Sequence, residues 1–381
     1  MIFVAAVPLL IWIYLVLGRS MFWRMRERDD TCGLQPSAGS WPSVFVVVPA
    51  RDEADVIERA IRSLLVQDYR GIFHIILVDD RSSDGTAEAA RRAAHVCGMD
   101  DRLEIISGQE RPAGWTGKVW AMCQGFARTR ETGSPDYVLF TDADIAHAPD
   151  NLRCLVTRAE ESRLVLVSLM AKLRCESFAE KLLIPAFVFF FAMLFPFGRA
   201  NDPGSKTAAA AGGCMLVRRD ALVAAGGLEA IAGAIIDDCA LAHILKRRGP
   251  IWLGLTRRAL SIRPYGGTGE IGRMVARSAY AQLDYSPVLL CGTVLAMMIV
   301  YAAPPLLALF APAPVWIVGA LAWLSMGLAY QPILRFYRLS PLWGAALPAV
   351  GALYTAFTVN SAIQHWRGRG GMWKGRAQAM A

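Results

Sequence analysis

The chain has 381 residues, 55% of them hydrophobic, and its mean hydropathy of +0.35 excludes a purely soluble protein. The apolar runs are concentrated at the two ends, so membrane segments are expected there. The 40 Lys and Arg exceed the 32 Asp and Glu and give a formal charge of +8, but much of this excess flanks the apolar runs. That distribution favours an anionic membrane surface over nucleic acid as the partner.

The eight cysteines are scattered along the chain and contain no C-x-x-C pair. This spacing predicts neither a zinc site nor a disulfide framework, and it favours reduced thiols in a cytoplasmic domain. The five histidines show no H-E-x-x-H spacing, so the sequence gives no indication of a metalloprotease.

Residues 1–18 carry no charge and are about long enough to span a bilayer. Basic residues follow this run instead of preceding it, which predicts an uncleaved transmembrane anchor and not a signal peptide. The positive-inside rule then places the N-terminus outside and the next domain in the cytoplasm. Residues 19–42 follow as a basic juxtamembrane linker that contains Gly and Pro.

An alternation of strands and helices begins after this linker. The pattern predicts an α/β domain over residues 43–265, built on a mostly parallel, doubly wound sheet. Such sheets bind ligands at the carboxyl ends of their strands. The predicted strands cover residues 44–48, 74–78, 103–106 and 137–141, and the predicted helices cover residues 53–67 and 117–131 with a further helix opened by residues 82–86.

Charged side chains follow three of these strands, at the edge where ligands bind. Residues 51–53 follow the first strand, Asp79 and Asp80 the second, and Asp142 and Asp144 the fourth. Because residues i and i+2 of a strand point to the same side, Asp142 and Asp144 can converge on a hard divalent ion such as Mg²⁺ or Mn²⁺. D-x-D alone could equally be an Asp-rich turn, but three such clusters at one edge favour a site.

At these residues the chain resembles the family 2 glycosyltransferases, which have the nucleotide-sugar-binding GT-A fold. Four motifs carry the resemblance in the family's order: V-V-P-A-R-D-E at 47–53, V-D-D-R-S-S-D-G-T at 78–86, D-A-D at 142–144 and I-D-D at 236–238. Within that family the chain is most similar to the hopene-associated glycosyltransferases. This finer resemblance rests on G-W-T-G-K at 114–118, G-G-C at 212–214, R-S-A-Y-A-Q-L at 277–283 and W-K-G-R at 373–376.

The resemblance implies roles for particular residues. A nucleotide-diphosphate sugar with a uridine-type base would be held by six residues: Pro49, Arg51, Glu53, Asp79, Asp80 and Asp142. Asp144, with Asp142, would bind the divalent ion that bridges the diphosphate. Asp238 would be the general base, beside Asp237, which stands where many relatives have Glu.

Two further features near these motifs leave alternatives open. Lys118 could supply a cation to the leaving diphosphate, or it could be a solvated lysine at the start of a helix. Gly212 and Gly213 predict a turn into a strand on the acceptor side, where glycine allows close approach of the backbone, or simply an ordinary turn. His147 could be a further metal ligand, although a loop histidine is the preferred interpretation.

The remaining apolar segments predict how the chain meets the membrane. Residues 178–197 are expected to form an interfacial or re-entrant helix, with a buried core helix as the alternative. Residues 266–286 form an amphipathic connection, residues 287–364 the C-terminal transmembrane helices, and residues 365–381 a basic tail. Arginines 257, 258, 263, 273 and 277 are expected to meet lipid headgroups or the diphosphate. Four spans would put the tail outside, whereas its charge indicates the cytoplasm, so its side stays open.

The sequence therefore predicts a multi-pass, metal-dependent, inverting glycosyltransferase of the bacterial inner membrane, with its catalytic domain in the cytoplasm. The acceptor would be a membrane lipid of the hopanoid type, with a polyprenyl phosphate, a sphingolipid-like molecule or a growing glycan as alternatives. A non-catalytic membrane scaffold with a degenerate nucleotide-sugar fold is the competing class. The chain contains neither a P-loop nor a Gln-x-x-Arg-Trp motif, which argues against a P-loop hydrolase and a processive polysaccharide synthase.

Overall fold

The computed structural model describes residues 2–32, 41–373 and 376–377. Parts of the predicted linker and tail, including Lys374 and Gly375 of the W-K-G-R motif, lie outside the described residues. The chain divides into two compact units. The helical unit comprises Met1–Arg26, Arg174–Gly198 and Tyr265–Gly371, and the α/β unit comprises Glu27–Leu173, Arg199–Pro264 and Met372–Ala381.

The elements are named here in chain order. The strands of the main sheet are β1 (Val44–Ala50), β2 (Phe73–Asp79), β3 (Leu103–Ser107), β4 (Tyr137–Thr141), β5 (Ile145–His147), β6 (Leu166–Lys172), β7 (Cys214–Arg218) and β8 (Ile251–Ser261). The helices are α1 (Ile2–Ile13), α2 (Ile57–Leu65), α3 (Thr86–Cys97), α4 (Gly117–Thr132), α5 (Asn151–Glu161), α6 (Phe178–Leu194), α7 (Phe197–Asn201), α8 (Arg219–Ala224), α9 (Asp237–Lys246), α10 (Thr268–Ala279), α11 (Pro287–Met297), α12 (Ala303–Phe310), α13 (Val315–Phe336) and α14 (Leu347–Trp366). Met372–Trp373 and Arg376–Ala377 form a short antiparallel pair.

The α/β unit is built on an eight-stranded sheet in the order β3-β2-β1-β4-β7-β6-β8-β5. The first four strands are parallel to one another, as the alternating pattern predicts. The other half is mixed, because β7 runs antiparallel to both β4 and β6, and β5 runs antiparallel to β8. The β4–β7 pairing places Thr141 opposite Cys214, so the carboxyl end of β4 meets the start of β7.

Both faces of this sheet are covered, which explains why the central strands are apolar at successive positions. In β1, Val44, Val46 and Val48 face a core shared with α2, α3 and α5. Phe45 and Val47 of the same strand face a second core, shared with α4, α8 and α9. Strands buried in this way have fixed ends, so the polar residues that follow them are held in fixed positions.

Residues 27–29, in the described part of the linker, lie along β8. The backbone of Asp29 and Glu27 bonds to Leu255 on both sides. The buried Asp29 carboxylate pairs with Arg258 at 3.1 Å and with Arg158 at 3.5 Å.

The expectation that no disulfide forms was wrong, because Cys32 is bonded to Cys154 of α5. The two residues are 122 positions apart in the chain. Only the folding of the linker onto the α/β unit brings them together, so a rule based on local cysteine spacing could not detect the pair.

Three helical segments of the helical unit are long and apolar enough to cross a membrane: Pro287–Phe310, Val315–Phe336 and Pro341–Trp366. A shorter apolar helix covers Ala5–Gly18. These segments occupy the positions where the sequence predicts the anchor and the C-terminal spans.

Helix α6 belongs to the helical unit, although the predicted boundaries include it in the α/β domain. It begins with a capping box between Ser177 and Glu180. Its aromatic side chains pack edge-on against tyrosines of the same unit, Phe189 on Tyr330 at 5.2 Å and Phe190 on Tyr354 at 4.8 Å between ring centroids. The helix is therefore buried among other helices, and its depth in a bilayer stays a prediction.

Helix α14 runs antiparallel to the segment formed by α11 and α12. Gly351 of α14 lies against Tyr301, whereas His365 near its end stacks on Tyr285, just before α11, with 4.3 Å between ring centroids. The segment before α14 turns back along α13, because Gln331 bonds to the Pro341 carbonyl and Trp323 to the Ala345 carbonyl. The end of α14 consequently lies beside the start of α11.

Candidate active site

The loops after β1 and β2 interlock at the edge of the sheet. The Arg51 guanidinium donates to the Asp80 carbonyl at 2.5 Å and pairs with the buried Asp80 carboxylate at 3.5 Å. The Asp79 carboxylate accepts a hydrogen bond from the Ser82 backbone at 2.9 Å. Asp52 and Arg81 adopt positive φ angles of 49° and 59°, a strained conformation for non-glycine residues that commonly marks ligand sites. The contacts between these two loops hold them together at the edge of the sheet.

Glu53 connects these two loops to the D-x-D motif through an arginine. Its backbone N–H bonds to the Thr86 hydroxyl at 2.9 Å, and its carboxylate makes a close ion pair with Arg263. Arg263 also lies 3.6 Å from the Asp144 carboxylate and 3.7 Å from that of Asp55. The guanidinium thus joins a residue expected to bind nucleotide with one expected to bind metal.

Asp142 and Asp144 follow β4, as the sequence predicts, and they directly precede β5, which was not predicted. Burial, together with the charge of Asp142, raises the pKa of Asp144 to about 6. The Ser261 hydroxyl donates to Asp144 at 3.2 Å. Two hard oxygen donors that destabilise each other's negative charge fit a divalent cation.

The described residues contain no group of three or more His, Cys, Asp or Glu placed to hold a metal. Mg²⁺ in phosphate-handling sites is often held by one or two carboxylates, with waters and substrate phosphates as the other ligands. The pair of Asp142 and Asp144 is therefore compatible with an ion that is bound together with a diphosphate.

Asp237 and Asp238 open helix α9. The Asp238 carboxylate accepts hydrogen bonds from the Gly212 backbone at 2.9 Å and from the Cys239 backbone at 2.7 Å. Burial and the neighbouring Asp237 charge raise the pKa of Asp238, and Lys118 partly opposes them. A fixed carboxylate with a raised pKa has the properties of a general base.

Lys118 joins the two acidic pairs. Its ammonium lies 2.9 Å from the Asp142 carboxylate and 3.2 Å from that of Asp237. Burial alone would lower the pKa of Lys118, but the nearby charges of Asp142, Asp237 and Asp238 raise it, so the side chain is a permanent cation. Its side chain is 17% exposed, which excludes the alternative of a solvated lysine.

The segments that precede α4 and α9, the helices of Lys118 and the acidic pair, are bonded to each other. The Thr116 N–H donates to the Ala232 carbonyl at 2.8 Å, and the Thr116 hydroxyl caps α4 at Val119. A Cβ added to Gly212 would lie 2.9 Å from the Lys118 ammonium and 3.4 Å from the Asp238 carboxylate. The absence of a side chain at Gly212 leaves room for Lys118 and Asp238 beside its backbone, which favours the acceptor-side interpretation over an ordinary turn.

His147 does not face the carboxylates. It lies on β5, where one ring nitrogen is 2.9 Å from the Thr141 hydroxyl and the other 2.8 Å from the Asn151 amide. Because the Thr141 hydroxyl donates to the Gly213 carbonyl, it can accept from Nε2–H, which fits a neutral imidazole. Both ring nitrogens are thus occupied, so His147 supports β4 and β5 and is not available as a metal ligand.

The contacts described above connect Glu53, Asp142, Asp144, Lys118, Asp237 and Asp238, whereas His147 lies outside them. The structure also adds two residues to those that the sequence associates with the site. Arg263 was expected at lipid or diphosphate, without a partner in the site, and Ser261 was not anticipated. Both follow from the pairing of β8 with β5, which sets Ser261 opposite Ile145. The polar residues at the end of β8 were a possible signal in the sequence. The pairing of β8 with β5, however, joins distant parts of the chain and is not visible in local patterns.

Comparisons with known proteins agree with this geometry. Residues 45–224 match the family model described as Glycosyl transferase family 2. Across 96% of this chain and 99% of the other, the fold is shared with a mannosyltransferase from Pyrobaculum calidifontis solved with GDP-Man and Mn²⁺, at 18% identity and a TM-score of 0.51. The family match supports a family 2 glycosyltransferase, and the solved structure shows the shared fold alone.

Curated relatives match over shorter segments. A 4,4'-diaponeurosporenoate glycosyltransferase of Staphylococcus haemolyticus is 31% identical over 27% of this chain and 24% of its own length. An N-acetylglucosaminyltransferase of Mesorhizobium japonicum is 27% identical over 40% of this chain and 34% of its own length. The chain thus spans only about a quarter to a third of these relatives, too little to transfer their substrates to it.

Proposed function

We propose that this protein is a membrane-bound, inverting glycosyltransferase that moves a sugar from a nucleotide-diphosphate sugar to a membrane lipid. The observation that carries this proposal is the position of Lys118 between Asp142 and Asp237. A single buried cation there joins the pair suited to a metal–diphosphate with the pair suited to an acceptor base. A scaffold with a degenerate fold would have no need for this arrangement.

The donor would lie on the loops after β1 and β2. Pro49, Arg51, Glu53, Asp79 and Asp80 would hold base and ribose, and the proposal takes a UDP-sugar as the first donor to test. Asp142 and Asp144 would hold Mg²⁺ or Mn²⁺, which when bound neutralises the charge that develops on the leaving diphosphate. Lys118 adds a positive charge beside Asp142, and its ion pairs already hold the ammonium group in place before the donor binds.

Asp238 would accept the proton of the acceptor hydroxyl as that oxygen attacks the anomeric carbon. The raised pKa of Asp238 improves it as a base, and the charge of Lys118 limits that rise. The hydroxyl oxygen forms the new bond as the bond to the diphosphate breaks on the opposite face, and this inverts the anomeric centre. One base suffices, and no covalent intermediate with the protein is needed.

The acceptor is proposed to be a lipid because the α/β unit is joined to a unit with three apolar helices of membrane length. The resemblance of motifs at 114–118, 212–214 and 277–283 makes a hopanoid-type lipid the first candidate. The corresponding location is the bacterial cytoplasmic membrane, with the α/β unit in the cytoplasm. A polyprenyl phosphate or a sphingolipid-like molecule would use the same base and cation.

The test is transfer of radiolabel into lipid. The full-length protein in nanodiscs would receive Mn²⁺ or Mg²⁺, a panel of UDP- and GDP-sugars, and hopanoid, polyprenyl-phosphate and sphingolipid acceptors. We expect labelled lipid that disappears with EDTA and falls by at least about 10²-fold in Asp238→Asn, since general-base catalysis contributes about 10²–10⁴-fold.

Asp101→Asn, which changes an exposed carboxylate of the same unit, is the matched control. Donor binding should persist in Asp238→Asn and weaken in Asp144→Asn. Near-normal turnover of Asp238→Asn would contradict the assignment of the base. Absence of metal-dependent donor binding in the unsubstituted protein would favour the scaffold.

A further inference from the structure

Helix α10 has one buried face and one basic face. Ile271 and Val275 are buried, and Gly272 lies against Phe357 of α14, so the apolar face is covered within the helical unit. Arg273 and Arg277 are exposed and, being four residues apart, share one side of the helix. The helix thus presents two guanidinium groups while its apolar surface is fully used.

A second basic pair is held at the end of α14. Gly368 has a φ of 70°, its N–H donates to the His365 carbonyl, and the Arg369 N–H donates to the Gln364 carbonyl. This is the hydrogen-bond pattern of a Schellman motif, which fixes the residues after a helix. Arg367 and Arg369, on either side of the glycine, are exposed.

The two helices that carry the basic pairs, α10 and α14, pack against each other. At this contact the Tyr280 backbone donates to the Ser361 hydroxyl at 3.1 Å, and the Tyr280 ring lies 5.8 Å from that of Trp366. Trp366 is 59% exposed and Tyr285 39% exposed. Exposed Trp and Tyr beside Arg and Lys at the end of an apolar helix are typical of the membrane–water interface.

We propose that these four arginines, with Trp366 and Tyr285, form a binding site for the headgroup of an anionic phospholipid. The site is called the basic seam below. Within the described part of the chain, none of the four guanidinium groups forms an ion pair. Exposed arginines at a membrane interface are attracted to the negatively charged phosphate groups of the lipid headgroups.

None of the residues of the basic seam makes a contact described above for the candidate active site. Guanidinium groups bind phosphate oxygens in a bidentate manner. The aromatic side chains would lie at the level of the headgroups, so the seam would fix the helical unit in register with the interface.

The test is lipid retention by the full chain. The unsubstituted protein, purified in detergent with a mixture of phosphatidylglycerol and phosphatidylcholine, would be examined by native mass spectrometry and by titration with phosphatidylglycerol. The variant Arg273→Gln/Arg277→Gln/Arg367→Gln/Arg369→Gln should lose at least tenfold in affinity for phosphatidylglycerol, since one basic residue near an anionic surface contributes roughly a fivefold factor. Binding of phosphatidylcholine should not change.

Two double variants of equal charge change are compared. Arg367→Gln/Arg369→Gln removes two arginines of the basic seam, and its matched control, Arg335→Gln/Arg338→Gln, removes two exposed arginines at the end of α13. Only the first pair should weaken phosphatidylglycerol binding. Equal loss in both pairs would overturn the proposal in favour of diffuse attraction. Unchanged retention of phosphatidylglycerol in the fourfold variant would overturn the proposal outright.

Discussion

The buried His147 gives the α/β unit a defined dependence on pH. Burial lowers the pKa of His147 from 6.5 to about 4. The unfolded chain therefore takes up a proton below pH 6.5, whereas the folded chain does not until the pH approaches 4. The contribution of this group to stability is complete above the unfolded pKa of 6.5 and is lost as the pH falls towards 4.

The size of the effect follows from the two pKa values. At pH 5 the histidine is almost fully protonated in the unfolded chain and mostly neutral in the folded chain. The free energy of unfolding is therefore about 2 kcal/mol lower at pH 5 than at pH 7.5, since each unit of pKa difference corresponds to about 1.4 kcal/mol. For a unit of this size that corresponds to a fall of about 4–8 °C in the melting temperature. The assay is thermal unfolding in detergent at both pH values for the unsubstituted protein and for His147→Gln.

Glutamine can donate to the Thr141 hydroxyl but does not titrate, so the substitution removes the protonation and keeps one hydrogen bond. We expect the variant to be less stable at pH 7.5 yet to lose less stability on acidification. The comparison of pH slopes cancels the effects of Asp144 and Asp238, which titrate in both proteins. If both proteins lost the same stability between pH 7.5 and pH 5, the assignment of His147 as a buried neutral group would be refuted.

Three other predictions concern separate features. Gly212→Ala should reduce the turnover number on the order of 10²-fold, because the added Cβ would displace Lys118 or Asp238. Gly204→Ala, in an exposed loop, should leave the turnover number unchanged. Steady-state kinetics on both variants tests this prediction. Cys32→Ser should lower the free energy of unfolding by about 2–4 kcal/mol in denaturant titrations without reductant. Dithiothreitol should abolish this difference between the variant and the unsubstituted protein. Equal stability of the two proteins without reductant would show that the disulfide is absent. A green fluorescent protein fused after the last residue should fluoresce in the cytoplasm, because the end of α14 lies beside the start of α11. An alkaline phosphatase fused after Pro312 should be active outside. Activity of alkaline phosphatase fused after the last residue would contradict the antiparallel arrangement of α14 and α11.

Local patterns predicted the parallel half of the sheet because each of its strands is buried on both faces. Strands β1 to β4 confirm the predicted runs, and the charged residues after β1, β2 and β4 lie at the edge expected for a ligand site. The D-x-D motif and the glycine turn before β7 were also predicted from short segments. In each case the hydrophobic run and the residue that ends it are close in sequence.

The parts that sequence reasoning missed depend on distant pairings. Arg263 and Ser261 come to Asp144 only because β8 pairs with β5, more than a hundred residues earlier in the chain. The mixed half of the sheet arises because β7 enters beside β4 in the opposite direction, after the excursion through α6. The side of the tail depends on the reversal before α14, whereas hydropathy reports only length and composition.

The antiparallel pairing of β4 with β7 has a consequence for how substrate preference could change. Asp142 directly follows β4 and Gly212 shortly precedes β7, so one backbone ladder fixes the residues proposed for the donor and acceptor sides together. Since side chains alternate between faces, a one-residue insertion in either strand would turn Thr141 or Cys214 to the wrong face. New acceptors would therefore be accommodated by changing loops and membrane helices around a constant pair of strands.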